Sequence, residues 1–201
     1  MQLLITDIDG VLADPTHRLE KYILNREQKD WDGFYSIEMA SDAPLTSQIE
    51  VVRNLADESD FVKVVTGRPE RTLDISYLWL KEYSQYAIDS RDQIYMRTDG
   101  DHRKAEEVKE ELAIGAVKSV FDSLEEFNPD NGELDRVVIV EDSPKNLVAM
   151  EKAIKESYPQ IEVICILLGT GRYDQFNCCE QCTSCGLKDE PGKSGHQCSQ
   201  S

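Results

Sequence analysis

Met1-Gln2-Leu3-Leu4-Ile5-Thr6-Asp7-Ile8-Asp9-Gly10 is the stretch whose reading decides the fold. Leu3, Leu4 and Ile5 make a short apolar run, two carboxylates two residues apart follow, and Gly10 breaks the pattern. An apolar run that short, closed by glycine, predicts a buried strand ending in a sharp turn. Ligands of open α/β sheets bind at the carboxyl ends of strands, so Asp7 and Asp9 would stand at the mouth of a crevice. Strand geometry carried into the turn would point both to one side. Two carboxylates about 4 Å apart repel by roughly 4 kcal/mol at an effective dielectric of about 20. A cation, or a proton kept on one of them, relieves that repulsion. A capped loop with two solvated acids is the competing reading.

Working outward, three further segments carry chemistry. Phe61 to Val65 is a strand pattern ending in Thr66-Gly67-Arg68; Lys104 closes Gly100-Asp101-His102-Arg103-Lys104; Val137 to Val140 is an apolar run ending in Glu141-Asp142. Apolar runs alternating with helical patterns predict a parallel sheet with crossover helices. One helix is expected from Pro44, with Leu45, Ile49, Val52 and Leu55/Ala56 on its buried face. Another should open at Pro69 and carry Leu73, Tyr77 and Leu80, and a third should cover 103–113. Ile94 to Met96 and Ile161 to Leu168 read as strands, the latter with Cys165 as a small buried residue. Val117 to Ser123 also reads as a strand ending in an acid and competes with Val137 to Asp142. The later run is preferred because it is unbroken and its acids are paired, which leaves the earlier one as a sheet strand or a connection beside it.

Asp7-Ile8-Asp9-Gly10-Val11-Leu12-Ala13-Asp14 resembles the nucleophile motif of the haloacid-dehalogenase-like (HAD) phosphatases, and the other three segments stand in that superfamily's order. The resemblance spans about residues 1–173. It implies an α/β, three-layer Rossmannoid fold with a central, mainly parallel sheet. It also implies a magnesium-dependent phosphomonoesterase working through an aspartyl-phosphate. Asp7 would be the nucleophile and Asp9 the general acid and base. Thr66 and Lys104 would bind phosphoryl oxygens, Lys104 also neutralising the nucleophile, and Gly67 would help bind substrate. Mg2+ would be held by Asp7, the Asp9 carbonyl and Asp142, with Glu141 behind those ligands or acting through water.

Met96 to Lys104 with Val108-Lys109-Glu110-Glu111 looks like the phosphatase domain of the bacteriophage polynucleotide kinase-phosphatases, in which arginines match Arg18 and Arg68. That implies removal of a 3′-phosphate from a nucleic-acid end or a nucleotide, with Arg18 and Arg68 engaging substrate. The acid pair departs from the pattern, being Glu141-Asp142 rather than two aspartates, and nothing matches the kinase half. Neither gap between the first three motifs holds a full α/β cap, so a minimal cap is expected: a helical flap with Trp31, Phe34 and Tyr35, aromatics read as core in preference to a substrate platform. A 5′(3′)-nucleotidase shares the chemistry but needs a closed base pocket. A non-enzymatic interaction module would be expected to have lost Asp7, Asp9 or Lys104.

With 201 residues, 40% hydrophobic and 30% charged, the chain has the composition of one main globular domain. No apolar stretch approaches the roughly 18 residues of a membrane span, and no secretory signal is evident, so a cytoplasmic location is expected. The formal net charge of −17 opposes a broad electrostatic grip on nucleic acid but permits a few placed cations to bind one phosphorylated end. Pro191-Gly192-Lys193-Ser194-Gly195 lacks the upstream glycine of a phosphate loop, Leu187 standing there instead. Residues 174–201 form a second unit, a Cys-rich tail. Cys179, Cys182, Cys185, His196 and Cys198 there could supply tetrahedral zinc, present free thiols or a partner-binding segment, or serve redox or disulfide chemistry.

Overall fold

The computed structural model describes residues 1–84, 88–127 and 133–169. In chain order its strands are β1 (Gln2–Thr6), β2 (Ala13–Asp14), β3 (Ala43–Pro44), β4 (Phe61–Pro69), β5 (Ile94–Arg97), β6 (Arg136–Glu141) and β7 (Glu162–Leu167). The α-helices are α1 (Thr16–Leu19), α2 (Trp31–Phe34), α3 (Thr46–Asp57), α4 (Leu73–Tyr83), α5 (Ala105–Phe127) and α6 (Pro144–Ser157). Five strands form one sheet in the order β5-β4-β1-β6-β7, every pairing parallel.

The Leu-Leu-Ile run forms the central strand because a parallel sheet covered on both faces needs apolar residues on both. Leu4 faces one layer with Val52 of α3 and Trp79 and Leu80 of α4. Leu3 and Ile5 face the other with Val117 of α5 and Met150 and Ile154 of α6. The chain runs outward from β1 to β5, then returns through α5 to β6. The strand order therefore reverses beside β1, and at such a switch point a crevice opens at the carboxyl ends.

Val117–Ser123 is not a strand. It lies within α5, whose buried Ala113, Ala116, Val117, Val120 and Leu124 recur at helical spacing and pack on β1 and β6. Two helix starts also shift. Pro44 pairs with Ala13 in the β2–β3 ladder, so α3 begins at Thr46. Pro69 closes β4, and a single 3-10 turn (Glu70–Thr72) precedes α4. Strand β7 is one residue shorter at each end than the expected 161–168, and Cys165 on it is half-buried where a buried residue was expected.

Short helical pieces between β2 and β3, among them α1, α2 and a 3-10 turn at Ile37–Ser41, make the small flap. No described helix is long and apolar enough to cross a membrane. The 174–201 unit with all five proposed zinc ligands lies outside the described residues, as does the Asn128–Gly132 turn.

Candidate active site

Asp7 follows β1 without leaving the sheet: its amide donates to the Val140 carbonyl at 3.1 Å. The β1–β6 register thereby sets Asp7 beside Glu141. The chain then turns sharply, Leu12 and Ala13 amides both donating to the Ile8 carbonyl at 2.8 and 2.9 Å. Gly10 makes that turn possible. Its φ is +84°, and a Cβ there would come within 2.1 Å of Asp142 Oδ2.

Three carboxylates meet at this point. Oxygens of Asp7, Glu141 and Asp142 lie within 4.8 Å of one another. Among the described residues Lys109 is the cation that enters the group, its Nζ 2.7 Å from Asp7 Oδ2 and 2.5 Å from Glu141 Oε2. Only 2% of Lys109 is exposed. Burial opposes its charge, yet Asp7 and Glu141 outweigh burial and hold the ammonium well above the usual lysine range. The carboxylates remain in excess. Burial pushes Asp142 up, with the charges of Glu141 and Asp7 adding to it. Asp7 is also raised, by burial first, against the pull of Lys109.

The oxygens differ in what they have left to offer. Glu141 Oε1 accepts from Asn146 Nδ2 at 3.0 Å and from the Ser143 amide at 3.2 Å, and Lys109 takes Oε2. Both Glu141 oxygens are thus engaged by protein donors. Asp7 Oδ1 is buried and has no partner among the described residues. A buried acceptor without a donor is costly. A divalent cation bound by oxygen ligands, as Mg2+ is, fits that free oxygen, the surplus charge and the Asp142 carboxylate.

Asp9 sits in a different environment. Arg68 grips it with Nε at 3.0 Å and Nη2 at 2.7 Å, and Arg18 Nη2 reaches Asp9 Oδ1 at 2.9 Å. Both arginines also hold Asp42, Arg18 through Nε at 2.7 Å and Nη2 at 2.6 Å, Arg68 through Nη2 at 2.9 Å. Two guanidiniums and two carboxylates therefore balance in a site where Arg18, Arg68 and the Asp42 side chain are 0% exposed. Burial raises the Asp9 pKa, but Arg68 and then Arg18 outweigh it and hold the carboxyl at about 2. The two arginines expected to engage substrate both bond Asp9 and Asp42 here. Asp42, which ties them together, was missed in the sequence because it carries no motif of its own.

Of the other expected site residues, Thr66 is buried within β4, where the pairing with β5 becomes irregular, its hydroxyl accepting from the Arg68 amide at 3.3 Å. Gly67 is partly exposed, and a Cβ there would meet nothing within 4 Å. Lys104 does not join the site. It precedes α5 as an exposed residue, and the place expected for it is taken by Lys109, one turn into the helix. The signal for Lys109 was present: it heads the stripe that continues through Ala113, Ala116/Val117, Val120 and Leu124. A lysine at the head of a buried apolar stripe needs an anion to face.

Gly10→Ala tests this geometry. The left-handed conformation alone should cost about 1–2 kcal/mol, and the new methyl must displace Asp142. Calorimetric titration with Mg2+ should show weakened binding together with a lowered Tm.

Three comparisons bear on this site. Residues 1–126 match the family Polynucleotide kinase PNKP phosphatase domain. Among solved structures, a chain of the Pnkp1/Rnl/Hen1 RNA repair complex aligns at 18% identity and a TM-score of 0.44, covering 84% of this chain and 43% of that one. The class C acid phosphatase from Bacillus anthracis aligns at 13% identity and 0.46, covering 83% and 66%. The HAD domain of effector Lem4 from Legionella pneumophila aligns at 11% identity and 0.46, covering 89% and 92%. This chain thus spans less than half the length of the RNA-repair chain it matches. No curated protein matches the sequence.

Proposed function

The chain belongs to the polynucleotide kinase PNKP phosphatase-domain family, a phosphatase of the HAD type, and on that premise we propose that it removes 3′-phosphates from nucleic-acid ends in the cytoplasm with the help of Mg2+. The observation that carries the reading is the pairing of unlike carboxylates. Asp7 is braced by Lys109 and has one free oxygen, while Asp9, two residues on, is locked in an arginine clamp.

The division of labour follows from charge. Asp7 attacks phosphorus through a carboxylate oxygen, the bond from phosphorus to the ester oxygen breaks, and that oxygen takes a proton from Asp9. Water then attacks the aspartyl-phosphate, Asp9 accepts its proton, and the bond from Asp7 to phosphorus breaks to free inorganic phosphate. With Arg68 and Arg18 on it, Asp9 is a carboxylate at rest; an arriving phosphate dianion offsets that positive field and favours the protonated acid. Lys109 keeps Asp7 anionic beside two other carboxylates and offers positive charge to phosphoryl oxygens. Thr66, at the irregularity in β4, would donate its hydroxyl to the same oxygens. Asp7, Asp142 and the Asp9 carbonyl would hold Mg2+, with Glu141 orienting them, and the bound ion would supply charge neutralisation and Lewis acidity.

Phosphate release with Mg2+ should be compared on 3′-phosphorylated oligonucleotides, 5′-phosphorylated ones, and free 3′- and 5′-nucleotides. The 3′-phosphorylated oligonucleotide should give the highest kcat/KM, and chelation should remove the activity. Faster hydrolysis of free 5′-nucleotides would replace this reading with a nucleotidase.

A further inference from the structure

A cleft of about 640 Å³ opens beside the site, between residues 29–35 of the flap and the 97–105 loop, with Pro69 and Arg71 at its base. Pro69 directly follows Arg68, and Tyr35 lines the wall next to the acid clamp. We infer that this cleft is the subsite for the terminal nucleoside of the phosphorylated strand, with its base stacked on Trp31. The inference rests on the strand-end phosphatase reading above and names the residues that recognise the strand.

The aromatic cluster divides between two tasks. Phe34 turns inward: Arg18 lies over its ring at 4.4 Å and donates to its carbonyl at 2.7 Å. Trp31 turns outward, 50% exposed, its indole stacked on Tyr35 at 6.2 Å with an interplanar angle of 20°. The helix that presents the indole is therefore pinned to the same arginine that orients Asp9. Asp30 caps this turn by accepting from the Gly33 amide at 2.8 Å, and a side chain at Gly33 would collide with Tyr22 at 2.4 Å. A half-exposed aromatic held this firmly is a stacking platform, and stacking suits any base because every base has a π face.

Charge points the same way. The chain as a whole carries −17, yet four cations against three carboxylates line this cleft. Arg71 joins its two walls, reaching Asp32 at 2.8 Å and Asp99 at 3.4 Å from a half-exposed position. Exposed pairs of this kind contribute little, so Arg71 can exchange Asp32 for a strand phosphate at small cost. A protein phosphomonoester carries no second phosphate for Arg71 to meet and has no base to cover Trp31. A nucleic-acid strand has both.

The test compares wild type, Trp31→Ala, Trp31→Phe and Arg71→Gln on a 3′-phosphorylated oligonucleotide, p-nitrophenyl phosphate and a phosphotyrosyl peptide. Trp31→Ala should raise KM for the oligonucleotide about tenfold or more and leave p-nitrophenyl phosphate unchanged, and Trp31→Phe should recover most of the loss. Arg71→Gln should lower the salt slope of oligonucleotide kcat/KM by about 1. Equal losses on the oligonucleotide and p-nitrophenyl phosphate, or a loss confined to the peptide, would overturn the subsite. An unchanged oligonucleotide KM in Trp31→Ala would overturn it too, while leaving the strand-end reading standing. Wild-type turnover of p-nitrophenyl phosphate with none of the oligonucleotide would overturn the strand-end reading itself.

Discussion

Asp7→Asn should lower kcat on every phosphomonoester by on the order of 10^4-fold or more, the scale seen when a nucleophile is removed. The amide keeps the shape of the side chain and loses the negative oxygen that would form the bond to phosphorus. The same change should spare the fold. In the metal-free protein Asp7 adds charge to a buried cluster already rich in carboxylates, and Lys109 retains Glu141 as a partner at 2.5 Å. The Tm of Asp7→Asn without divalent metal should therefore equal or exceed that of wild type, as expected where a functional site holds strain. Steady-state kinetics and thermal unfolding on one preparation check both statements. Substantial activity in the variant would remove Asp7 from its role.

Lys109→Met should be the most damaging change to function and stability together. It strips the cation from three buried carboxylates, and breaking a buried ion pair in this way costs about 3–5 kcal/mol. Without Lys109 the raised carboxyls take up protons, and a protonated Asp7 is no nucleophile. A fall in kcat of about 10^2-fold or more is expected, as when a group that stabilises transition-state charge is removed, together with a lower urea midpoint. Lys104→Ala supplies the contrast. That residue is exposed ahead of α5, so neither quantity should move. If Lys104→Ala abolished activity and Lys109→Met did not, the arrangement around Asp7 described above would be wrong.

The placement of these two lysines shows what the sequence could and could not convey. The strand and turn around Asp7 were legible because a short apolar run closed by glycine has few other interpretations, and Val137–Glu141 because its apolar run is unbroken and ends in paired acids. Thr66-Gly67-Arg68 announced itself by ending a strand. The lysine is a harder case. Lys104 adjoins the Gly100-Asp101 segment in sequence, whereas Lys109 is identified only by the helical face it shares with Ala113, Val117, Val120 and Leu124. Reading Val117-Lys118-Ser119-Val120-Phe121 with a period of two hid that face and so hid Lys109. The arginine clamp was illegible for another reason. Asp42 lies 24 residues from Arg18 and 26 from Arg68, and nothing in a linear sequence says that one carboxylate receives both. Trp31 and Phe34, three residues apart, were read as one cluster, but their directions diverge only once α2 is seated on Arg18.

The covalent role of Asp7 is tested most directly by Asp9→Asn with p-nitrophenyl phosphate. Asn keeps the shape of Asp9 between Arg18 and Arg68, and nitrophenolate leaves without needing the proton Asp9 would give. Breakdown of the intermediate still needs Asp9 as base, so the phosphoryl group should remain on the protein. The expected result is a rapid burst of about one nitrophenolate per chain followed by slow turnover, with mass spectrometry of the acid-quenched protein placing a phosphoryl group on Asp7. Hydrolysis without a burst, or with the phosphoryl group on another residue, would contradict the assignment.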